Sequence, residues 1–430
     1  MQHNIDKDDR IEGTFQLYSP PFLFGYDRQP SLASSDHSHL RNSTFLTLFI
    51  IVQPPLSPPD PIMEHLECSE PLHLEQHLEL WSKEVSKYFP HRCVKTLVTD
   101  VGGKSVCVTR FFRSINPPTI YEGETTSPEM IARYVSLIPV STSGTLLFGH
   151  FNVWLTCDQT IRLLLGERED HAILLCCFLM KLGLKVWLLF GSGIPHGRSA
   201  YVLTRDDTSL ATPTYTIWDP VTGLSYSSMD SFSPLHKVYC LINDENIWVN
   251  VQSEELVRRT NFDVTQRSNW WPAFGRSVSA PSTSVQPDDI EYAITSPADV
   301  QLLQDKIEKY LKDSIMKWRP TSRTIWNRYC IATLRKLLPI MEREACGLKQ
   351  PSNSDHLNEL QHIFGSHKMC GFPISQPFTN IKAIIEAVKS TGVHNNESPD
   401  VEFALAVYVH PYPNDVLSVW VYAVSLVAQR

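Results

Sequence analysis

The sequence predicts an α+β fold, and two patterns in its central part carry that prediction. Residues 172–182 are apolar almost all the way round, which is typical of a helix surrounded by protein. Runs rich in β-branched and aromatic residues follow, and these favour strands of an antiparallel sheet. The runs are 185–190, 199–204, 214–219, 238–242 and 246–251.

Composition limits the class of protein before any motif is considered. The chain has 430 residues, which exceeds one compact core and predicts two or three domains. The formal net charge is −8 and no Lys/Arg cluster occurs, so we expect no nucleic-acid partner. The N-terminus "MQHNIDKDDR" lacks the apolar core of a signal peptide, and the longest apolar runs are too short to span a bilayer. These features predict a soluble intracellular protein without a transmembrane segment.

The ten cysteines are scattered along the chain without a CxxC pair. His and Cys residues never group at the short spacing that zinc ligands require. We therefore expect reduced, mostly buried thiols, no metal site and no cofactor.

The residues before the central helix show both strand and helix patterns. A β-branched and aromatic run at 43–52 predicts a strand, which the following prolines end. Helical spacing of apolar residues predicts a helix at 73–89, and the Gly102–Gly103 pair predicts the turn of a hairpin. A further helix begins with Ser127 as N-cap and Pro128 as its first residue.

The central helix is preceded by a short helix and followed by a linker. The short helix is predicted at 157–165 with Asp158 as its cap, and Gly166 breaks it. Gly183 ends the central helix at the position that favours a left-handed C-cap. Residues 277–297 are rich in serine and proline, which predicts a linker.

The last part of the chain combines helices with a terminal hairpin. Helical spacing of apolar residues predicts helices at 298–318, 321–342, 352–365 and 379–391. Thr379 is the expected cap of the last one. Two β-rich runs, 401–409 and 416–427, flank "HPYPND" and predict a hairpin.

The central helix and the strands after it have the order of a papain- or transglutaminase-like catalytic site. In such a site a Cys begins the buried helix, a His lies on a following strand, and an Asp on the next strand orients the His. At the matching positions this sequence has Arg168, Ser199 and Asp219, within "REDHA", "SAYV" and "WDP". Arginine stays protonated at ordinary pH, and a serine hydroxyl cannot act as a base near pH 7. We therefore expect no catalytic residue at these degenerate positions.

The same region supplies candidates for a binding groove. They are Arg168, Asp170, His171, His196, Ser199, Tyr201 and Asp219. For His171 a local hydrogen bond is the alternative, and for Asp219, which precedes a proline, the alternative is a turn. In a groove that binds an extended peptide, Arg168 would pair with a carboxylate.

Other residues have both a functional and a structural interpretation. Cys176 and Cys177 lie deeper in the central helix, where core packing is expected. Trp270 and Trp271 are candidate exposed anchors for a partner, with core packing as the alternative.

Several long segments carry a further likeness. They include "HAILLCCFLMKLGLKVWLLFGSGIPHGRSAYVLT", "INDENIWVNVQ" and "VEFALAVYVHPYPNDVLSVWVY". They resemble the C-terminal part of the coiled-coil and C2 domain-containing protein 2 family, most closely its B-type member. The likeness runs from about residue 65 to the C-terminus, although the chain has no heptad coiled coil.

This resemblance implies the domain organisation. Residues 1–60 would be the C-terminal remnant of a C2 domain, with a helix-and-hairpin connector at 61–125. Residues 126–276 would be an inactive transglutaminase-like (papain-like) domain with a buried helix and an antiparallel sheet. The linker 277–297 would then lead to a C-terminal α+β module at 298–430, which is helical and ends in a β-hairpin.

The resemblance also implies a function. It indicates a non-catalytic scaffold of the ciliary transition zone that acts in cilium assembly with other tectonic-like complex proteins. The expected location is the cytoplasm and cytoskeleton at the cilium base, and membrane contact stays open. The alternative is a hydrolase or acyl transferase with rearranged catalytic residues, which requires a thiol or hydroxyl within hydrogen-bond reach of a His in the groove.

Overall fold

The computed structural model confirms a mixed fold of helices and sheets. The chain divides into two compact units, residues 1–66 with 379–386, and residues 67–378 with 387–430. The residues that the structure describes are 10–17, 44–51, 68–141, 153–194, 197–207, 213–230, 232–348, 360, 362–363 and 365–428.

The first unit contains an antiparallel pair of strands. Strand β1 spans Arg10–Leu17 and strand β2 spans Thr44–Ile51, with Arg10 opposite Ile51 and Leu17 opposite Thr44. The strand predicted at 43–52 is therefore confirmed, whereas β1 had no prediction. The other residues assigned to a C2 remnant lie outside the described ranges.

The second unit begins with a helix and a hairpin, both as predicted. Helix α1 spans Leu72–Tyr88 and buries Leu74, Leu78, Trp81 and Val85 of the predicted apolar stripe, whereas its last member, Tyr88, is exposed. Strands β3, Leu97–Thr99, and β4, Ser105–Cys107, pair antiparallel. Gly103 in their turn has a φ of 77°, a conformation that favours glycine.

Two short helices lead to the central helix. Helix α2 spans Pro128–Ser136, and the Ser127 hydroxyl accepts from the backbone N–H of Met130, as predicted. Helix α3 spans Cys157–Leu163, but the prediction of Asp158 as its cap is wrong. Thr156 caps α3, because it exchanges two hydrogen bonds with Gln159 in a capping box.

The central helix α4 spans Arg168–Lys181 and lies against a seven-stranded antiparallel sheet. Its residues are buried on nearly every side, and Gly183 ends it with a φ of 80°, as predicted. The sheet order is β11-β10-β9-β5-β6-β7-β8. The strands are β5 Lys185–Gly193, β6 Gly197–Asp206, β7 Thr214–Trp218, β8 Ser225–Ser227, β9 Leu235–Ile242, β10 Ile247–Asn250 and β11 Trp270–Pro272.

Both faces of this sheet are covered, which explains its nearly continuous apolar strands. On strand β6, Ala200 and Val202 belong to the core that contains α4. The alternating residues Tyr201 and Leu203 belong to a second apolar cluster, with Phe262 and Trp270 among its members.

The segment predicted as a linker packs along the second unit. Gln286 is buried, and its side chain accepts from Cys157 N and donates to the carbonyl of Phe111. Val285 N donates to the carbonyl of Arg110, and the Tyr292 hydroxyl donates to that of Asn116. Hydrogen bonds of these kinds hold the irregular backbone of this segment in a defined place.

The C-terminal part contains a four-stranded sheet with order β12-β14-β15-β13, and the helices Pro297–Trp318 and Arg328–Ala345 pack on it. Strands β14 and β15 form the predicted hairpin, whereas β13 had no prediction. The elements are α5 Pro297–Trp318, β12 Ile325–Trp326, α6 Arg328–Ala345, β13 His367–Pro377, α7 Ile381–Ser390, β14 Val401–Pro411 and β15 Leu417–Ala428.

Two helix starts in this part differ from the predictions. The helix predicted from residue 321 begins only at Arg328, because Ile325 and Trp326 form strand β12, which pairs with β14. Asn327 is the N-cap, and its Oδ1 accepts from Cys330 N. Asn380, rather than Thr379, accepts the cap hydrogen bond at the start of α7, from Ala383 N. The helix predicted at 352–365 lies mostly outside the described residues.

A buried carboxylate joins α2 to the C-terminal part. Glu342 on α6 is fully buried and accepts two hydrogen bonds from Arg133 on α2, at 3.0 and 2.9 Å. It also accepts from Ser418 at 2.6 Å and from the side chains of Tyr412 and Trp420. This network links the α4-containing core to the terminal hairpin. Within the described ranges, no helix is long and apolar enough to cross a membrane.

Candidate functional site

A buried carboxylate fixes the N-terminus of α4. Asp170 Oδ2 accepts from Glu167 N at 2.8 Å, and its Oδ1 accepts from Leu155 N at 2.9 Å. Gly166 packs so closely that an added Cβ would lie 3.0 Å from the Cβ of Asp170. Burial raises the pKa of Asp170 to about 7, although its two backbone donors lower it. The first turn of α4 therefore has a defined position beside the sheet.

The three positions matched to a Cys–His–Asp site lie together. Arg168 is the first residue of α4, and its Nη1 donates to Ser199 Oγ at 3.3 Å. Its Nη2 donates to Asp219 Oδ1 at 3.2 Å. The Asp219 side chain is 4% exposed and that of Arg168 is 14% exposed, so the ion pair is largely shielded from solvent. The site thus holds a guanidinium and a hydroxyl where the matched pattern has a thiol and an imidazole, and it retains the carboxylate, which pairs with the guanidinium.

The strand register explains why Ser199 and Asp219 reach Arg168. Ser199 lies near the start of β6, opposite Gly191 on β5, and Asp219 directly follows β7. Trp218 Nε1 donates to Thr204 Oγ1 at 2.9 Å and fixes the end of β7 against β6. Asp219 Oδ1 also accepts from Val221 N at 3.1 Å. Asp219 therefore both shapes its turn and pairs with Arg168.

Tyr201 forms one wall beside the ion pair. Its ring centroid lies 5.8 Å from the guanidinium carbon of Arg168, within the range of a cation–π contact. Burial, and next the charge of Asp219, raise the pKa of Tyr201 to about 12. Among the described residues its buried hydroxyl has no hydrogen-bond partner. Tyr201 thus contacts Arg168 through its ring, not through its hydroxyl.

His171 makes local hydrogen bonds, one of the two interpretations that the sequence allowed. Its Nδ1 lies 2.7 Å from the carbonyl of Glu167, and its Nε2 lies 2.9 Å from the carbonyl of Ile138. Burial lowers the pKa of His171, although both carbonyls favour the protonated ring. Within the part that the structure describes, no thiol or hydroxyl bonds to this ring. His196, the other candidate histidine, lies outside that part.

The thiols near the site are buried in the core. Cys176 and Cys177 are both fully buried in α4, as their position in the helix predicts. Burial raises the pKa of Cys176 and of Cys157 well above the ordinary value, so both stay protonated at neutral pH. A protonated thiol is neither a nucleophile nor a metal ligand. No group of His, Cys, Asp and Glu among the described residues could hold a metal ion.

Sequence reasoning missed one charged neighbour of the site. Lys95 Nζ donates to Glu169 on the first turn of α4 at 3.0 Å and lies 5.4 Å from the ring centroids of Trp154 and Phe190. No sequence signal links Lys95 to Glu169, because the two residues are 74 positions apart in the chain and Lys95 belongs to no motif.

The two candidate tryptophan anchors differ from each other. Trp270 is fully buried and its Nε1 donates to the carbonyl of Asn261, so it belongs to the core. Trp271 is only partly buried and packs its edge against Trp81 on α1, with ring centroids 6.2 Å apart.

Two parts of the chain match known protein families. Residues 152–273 match the CEP76 peptidase-like domain. Residues 296–426 match the C-terminal domain of the centrosomal protein of 76 kDa.

Curated relatives cover most of this chain. Protein CC2D2B of Homo sapiens is 36% identical over 99% of this chain and 30% of that protein. Coiled-coil and C2 domain-containing protein 2A of Drosophila melanogaster is 31% identical over 97% of this chain and 32% of that protein. The centrosomal protein of 76 kDa of Homo sapiens is 23% identical over 79% of this chain and 55% of that protein.

These matches confirm the likeness that the sequence segments indicated. The chain is similar to proteins of the coiled-coil and C2 domain-containing protein 2 family along nearly its whole length. It spans about a third of the length of these two relatives. The names of the relatives describe centrosomal or coiled-coil proteins and not enzymes.

Proposed function

We propose that this relative of the coiled-coil and C2 domain-containing protein 2 family is a non-catalytic scaffold of the ciliary transition zone, acting in cilium assembly. Its proposed partners are other transition-zone proteins of the tectonic-like complex. Its proposed location is the cytoplasm and cytoskeleton at the cilium base. The name of one relative, the centrosomal protein of 76 kDa, supports a role at a centrosomal structure. The resemblance to the coiled-coil and C2 domain-containing protein 2 family implies the cilium base.

The observation that carries the proposal is the pairing of Arg168 with Asp219. The match to a peptidase-like domain supports a transglutaminase-like fold for residues 126–276. In such a fold the first residue of the buried helix is the nucleophile, and here that residue is a guanidinium 3.2 Å from the carboxylate. Guanidinium has no lone pair available for attack on a carbonyl, and it stays protonated at any physiological pH. The site therefore retains binding chemistry without nucleophilic chemistry.

What the site retains is suited to docking. Arg168 keeps 14% of its side chain exposed, beside Tyr201 and the polar edge of β6. A carboxylate of a partner segment could share the guanidinium with Asp219 through charge-assisted hydrogen bonds. The proposed docking groove comprises Arg168, Ser199, Tyr201 and Asp219, and the candidates Asp170 and His171 are buried at the start of α4 beside it. The remaining candidate, His196, lies outside the described residues.

The enzyme alternative receives no such support. It needs a thiol or hydroxyl next to a groove histidine, and the ring nitrogens of His171 face backbone carbonyls instead. A thiol-directed covalent probe should leave the wild-type groove unlabelled, whereas an Arg168→Cys/Ser199→His variant should be labelled at position 168. Covalent labelling of a groove residue in the wild-type chain by this probe would contradict the scaffold proposal.

Localisation in ciliated cells tests the proposal directly. We expect the tagged wild-type chain to colocalise with a transition-zone marker, and the Arg168→Glu/Asp219→Ala variant to lose that position. The Arg258→Glu variant is the matched control, because Arg258 is exposed and lies outside the groove. Thermal melting of all three purified chains separates loss of docking from loss of folding.

Either of two outcomes would contradict the proposal. A diffuse wild-type chain would show that these residues do not dock at the cilium base by themselves. A variant that melts normally and still colocalises would remove the Arg168 groove from the interface.

A further inference from the structure

A second groove lies away from the Arg168 site, between helix α1 and the segment that follows β11. Its volume is about 790 Å³. No residue of the groove proposed above lines it. The residues that line it are His77, Leu80, Trp81, Glu84, Arg267, Trp271, Pro272, Ala273, Phe274, Gly275, Arg276 and Ser277.

The floor of this groove is aromatic and fixed in place. Trp81 and Trp271 meet edge to face, and His77 stacks on Phe274 with ring centroids 6.3 Å apart. His77 Nε2 also lies 2.8 Å from the carbonyl of Ala273, which ties α1 to the other wall. Leu80 is 67% exposed at the rim. This combination suits an apolar side chain that enters between the two walls.

One polar group in the groove lacks a partner. Trp81 is only 6% exposed, and its indole Nε1 has no hydrogen bond to any described residue. Buried N–H groups in folded proteins are nearly always hydrogen bonded, because an unpaired donor is unfavourable. The Nε1 atom is itself buried, so an oxygen acceptor on a ligand completes this hydrogen bond as the Trp81 indole turns towards the groove.

The charges around the groove favour an anionic ligand. Arg267 and Arg276 both line it and are exposed, and neither has an ion pair with a described residue. Glu84 supplies the single carboxylate of the lining, so the fixed side-chain charge is positive. Beside Arg276, a Cβ built on Gly275 meets no atom within 4 Å, so a peptide backbone can approach closely there.

We propose that this groove binds an acidic peptide segment of a partner protein, with an apolar side chain of that segment on Trp81 and Trp271. The carboxylates of the segment pair with Arg267 and Arg276, and an oxygen of the segment accepts from Trp81 Nε1. This surface is independent of the Arg168 site, so each proposal can fail without the other.

The test uses the whole chain and a defined probe. A short labelled peptide with leucines flanked by glutamates is titrated with the protein, and fluorescence polarisation gives its Kd. Matched peptides replace the glutamates with glutamines or with lysines. We expect the acidic peptide to bind most tightly and its affinity to fall as salt is raised.

Variants assign the binding to the groove. The Arg267→Glu/Arg276→Glu variant should weaken binding of the acidic peptide by ~10-fold or more, because opposed charges become like charges. Trp81→Phe keeps an aromatic floor but removes the N–H, and should weaken binding ~5-fold. Arg258→Glu makes a single charge reversal outside the groove and should leave the Kd unchanged.

Three outcomes would overturn the proposal. They are failure of the acidic peptide to bind the wild-type chain, equal binding by the charge-reversal variant, and self-association of the chain that the same variant abolishes. The last would identify a second copy of this chain as the occupant. Melting temperatures of the variants confirm that each compared protein is folded.

Discussion

Arg133 and Arg168 lie in the same compact unit, and each pairs with a buried carboxylate, but the two pairs are built differently. Arg133 makes a bidentate pair with Glu342 at 2.9–3.0 Å, and Glu342 accepts three further side-chain hydrogen bonds. Arg168 reaches Asp219 through contacts of 3.2–3.5 Å, and Asp219 also serves its own turn. The two arginine side chains are equally exposed, at 14% each, whereas the Glu342 side chain is fully buried and that of Asp219 is 4% exposed.

The difference separates a structural ion pair from one suited to recognition. Burial alone would raise the pKa of Glu342, but the hydrogen bonds and charge of Arg133, with Ser418 and Trp420, lower it to about 2. Satisfying every acceptor position of a buried carboxylate makes the pair rigid and costly to break. The longer contacts of Arg168 leave its guanidinium donors available to another carboxylate.

The largest effect is expected from breaking the Arg133–Glu342 pair. Glu342→Ala leaves Arg133 without its ion-pair partner and removes the acceptor of Tyr412, Ser418 and Trp420. We expect a loss of about 3–5 kcal/mol in the free energy of unfolding, measured by denaturant titration. Glu344→Ala on the same helix is the control, because Glu344 is exposed, and should change stability by less than about 0.5 kcal/mol. Equal effects of the two variants would mean that the buried network does not hold the two parts together.

The dependence of the free energy of unfolding on pH should distinguish two buried carboxylates, Glu342 and Asp170. The pKa of Glu342 is lowered to about 2 in the folded chain, so its stabilising effect is complete above the ordinary pKa of 4.5 and is lost as the pH falls towards 2. That loss amounts to roughly 3 kcal/mol, and Glu342→Gln should abolish this part of the pH dependence.

Asp170, which lies in the same first turn of α4 as Arg168, should change stability with pH in the opposite direction. Its pKa is raised to about 7, so the folded chain favours the protonated form, and stability should decrease as the pH rises from about 4 to about 7. Denaturant titrations of wild type, Glu342→Gln and Asp170→Asn from about pH 2 to about pH 7 measure both windows. Identical pH profiles for all three proteins would contradict the assignment.

The smallest effect is expected for the coupling of Arg168 to Asp219. A double-mutant cycle with Arg168→Met and Asp219→Asn should give a coupling energy of about 1 kcal/mol, because the contacts are long and Asp219 also accepts from Val221 N. The same cycle with Arg133→Met and Glu342→Gln should give a clearly larger value. A coupling at Arg168–Asp219 as large as that at Arg133–Glu342 would make both pairs structural and weaken the docking proposal.

Local patterns were sufficient for much of the fold. The central helix, the five strands after it and the terminal hairpin follow from apolar periodicity, and Ser127, Gly103 and Gly183 act as their residue types predict. The errors fall at helix starts. Asp158 and Thr379 were plausible caps, but the side chains of Thr156 and Asn380 accept the cap hydrogen bonds. When two nearby residues can both act as a cap, the sequence does not show which of them has the required geometry.

Part of the candidate site could also be predicted from the sequence. The order of helix and strands brings Arg168, Ser199 and Asp219 together, because the register of β5, β6 and β7 is fixed by their apolar faces. Lys95 beside Glu169 had no sequence signal, and of the groove between α1 and Trp271 the sequence indicated only Trp271, as a candidate anchor. Their partners come from distant parts of the chain.

By itself the sequence determined the class of fold, the likeness to its relatives and the absence of a thiol at position 168, since these depend on residue type and local spacing. Only the tertiary structure decided which charges are buried together, which carboxylate Arg133 and Arg168 each meet, and which indole N–H groups lack a partner among the described residues. Burial and charge pairing arise from contacts between residues far apart in the chain, and no local pattern encodes those distances.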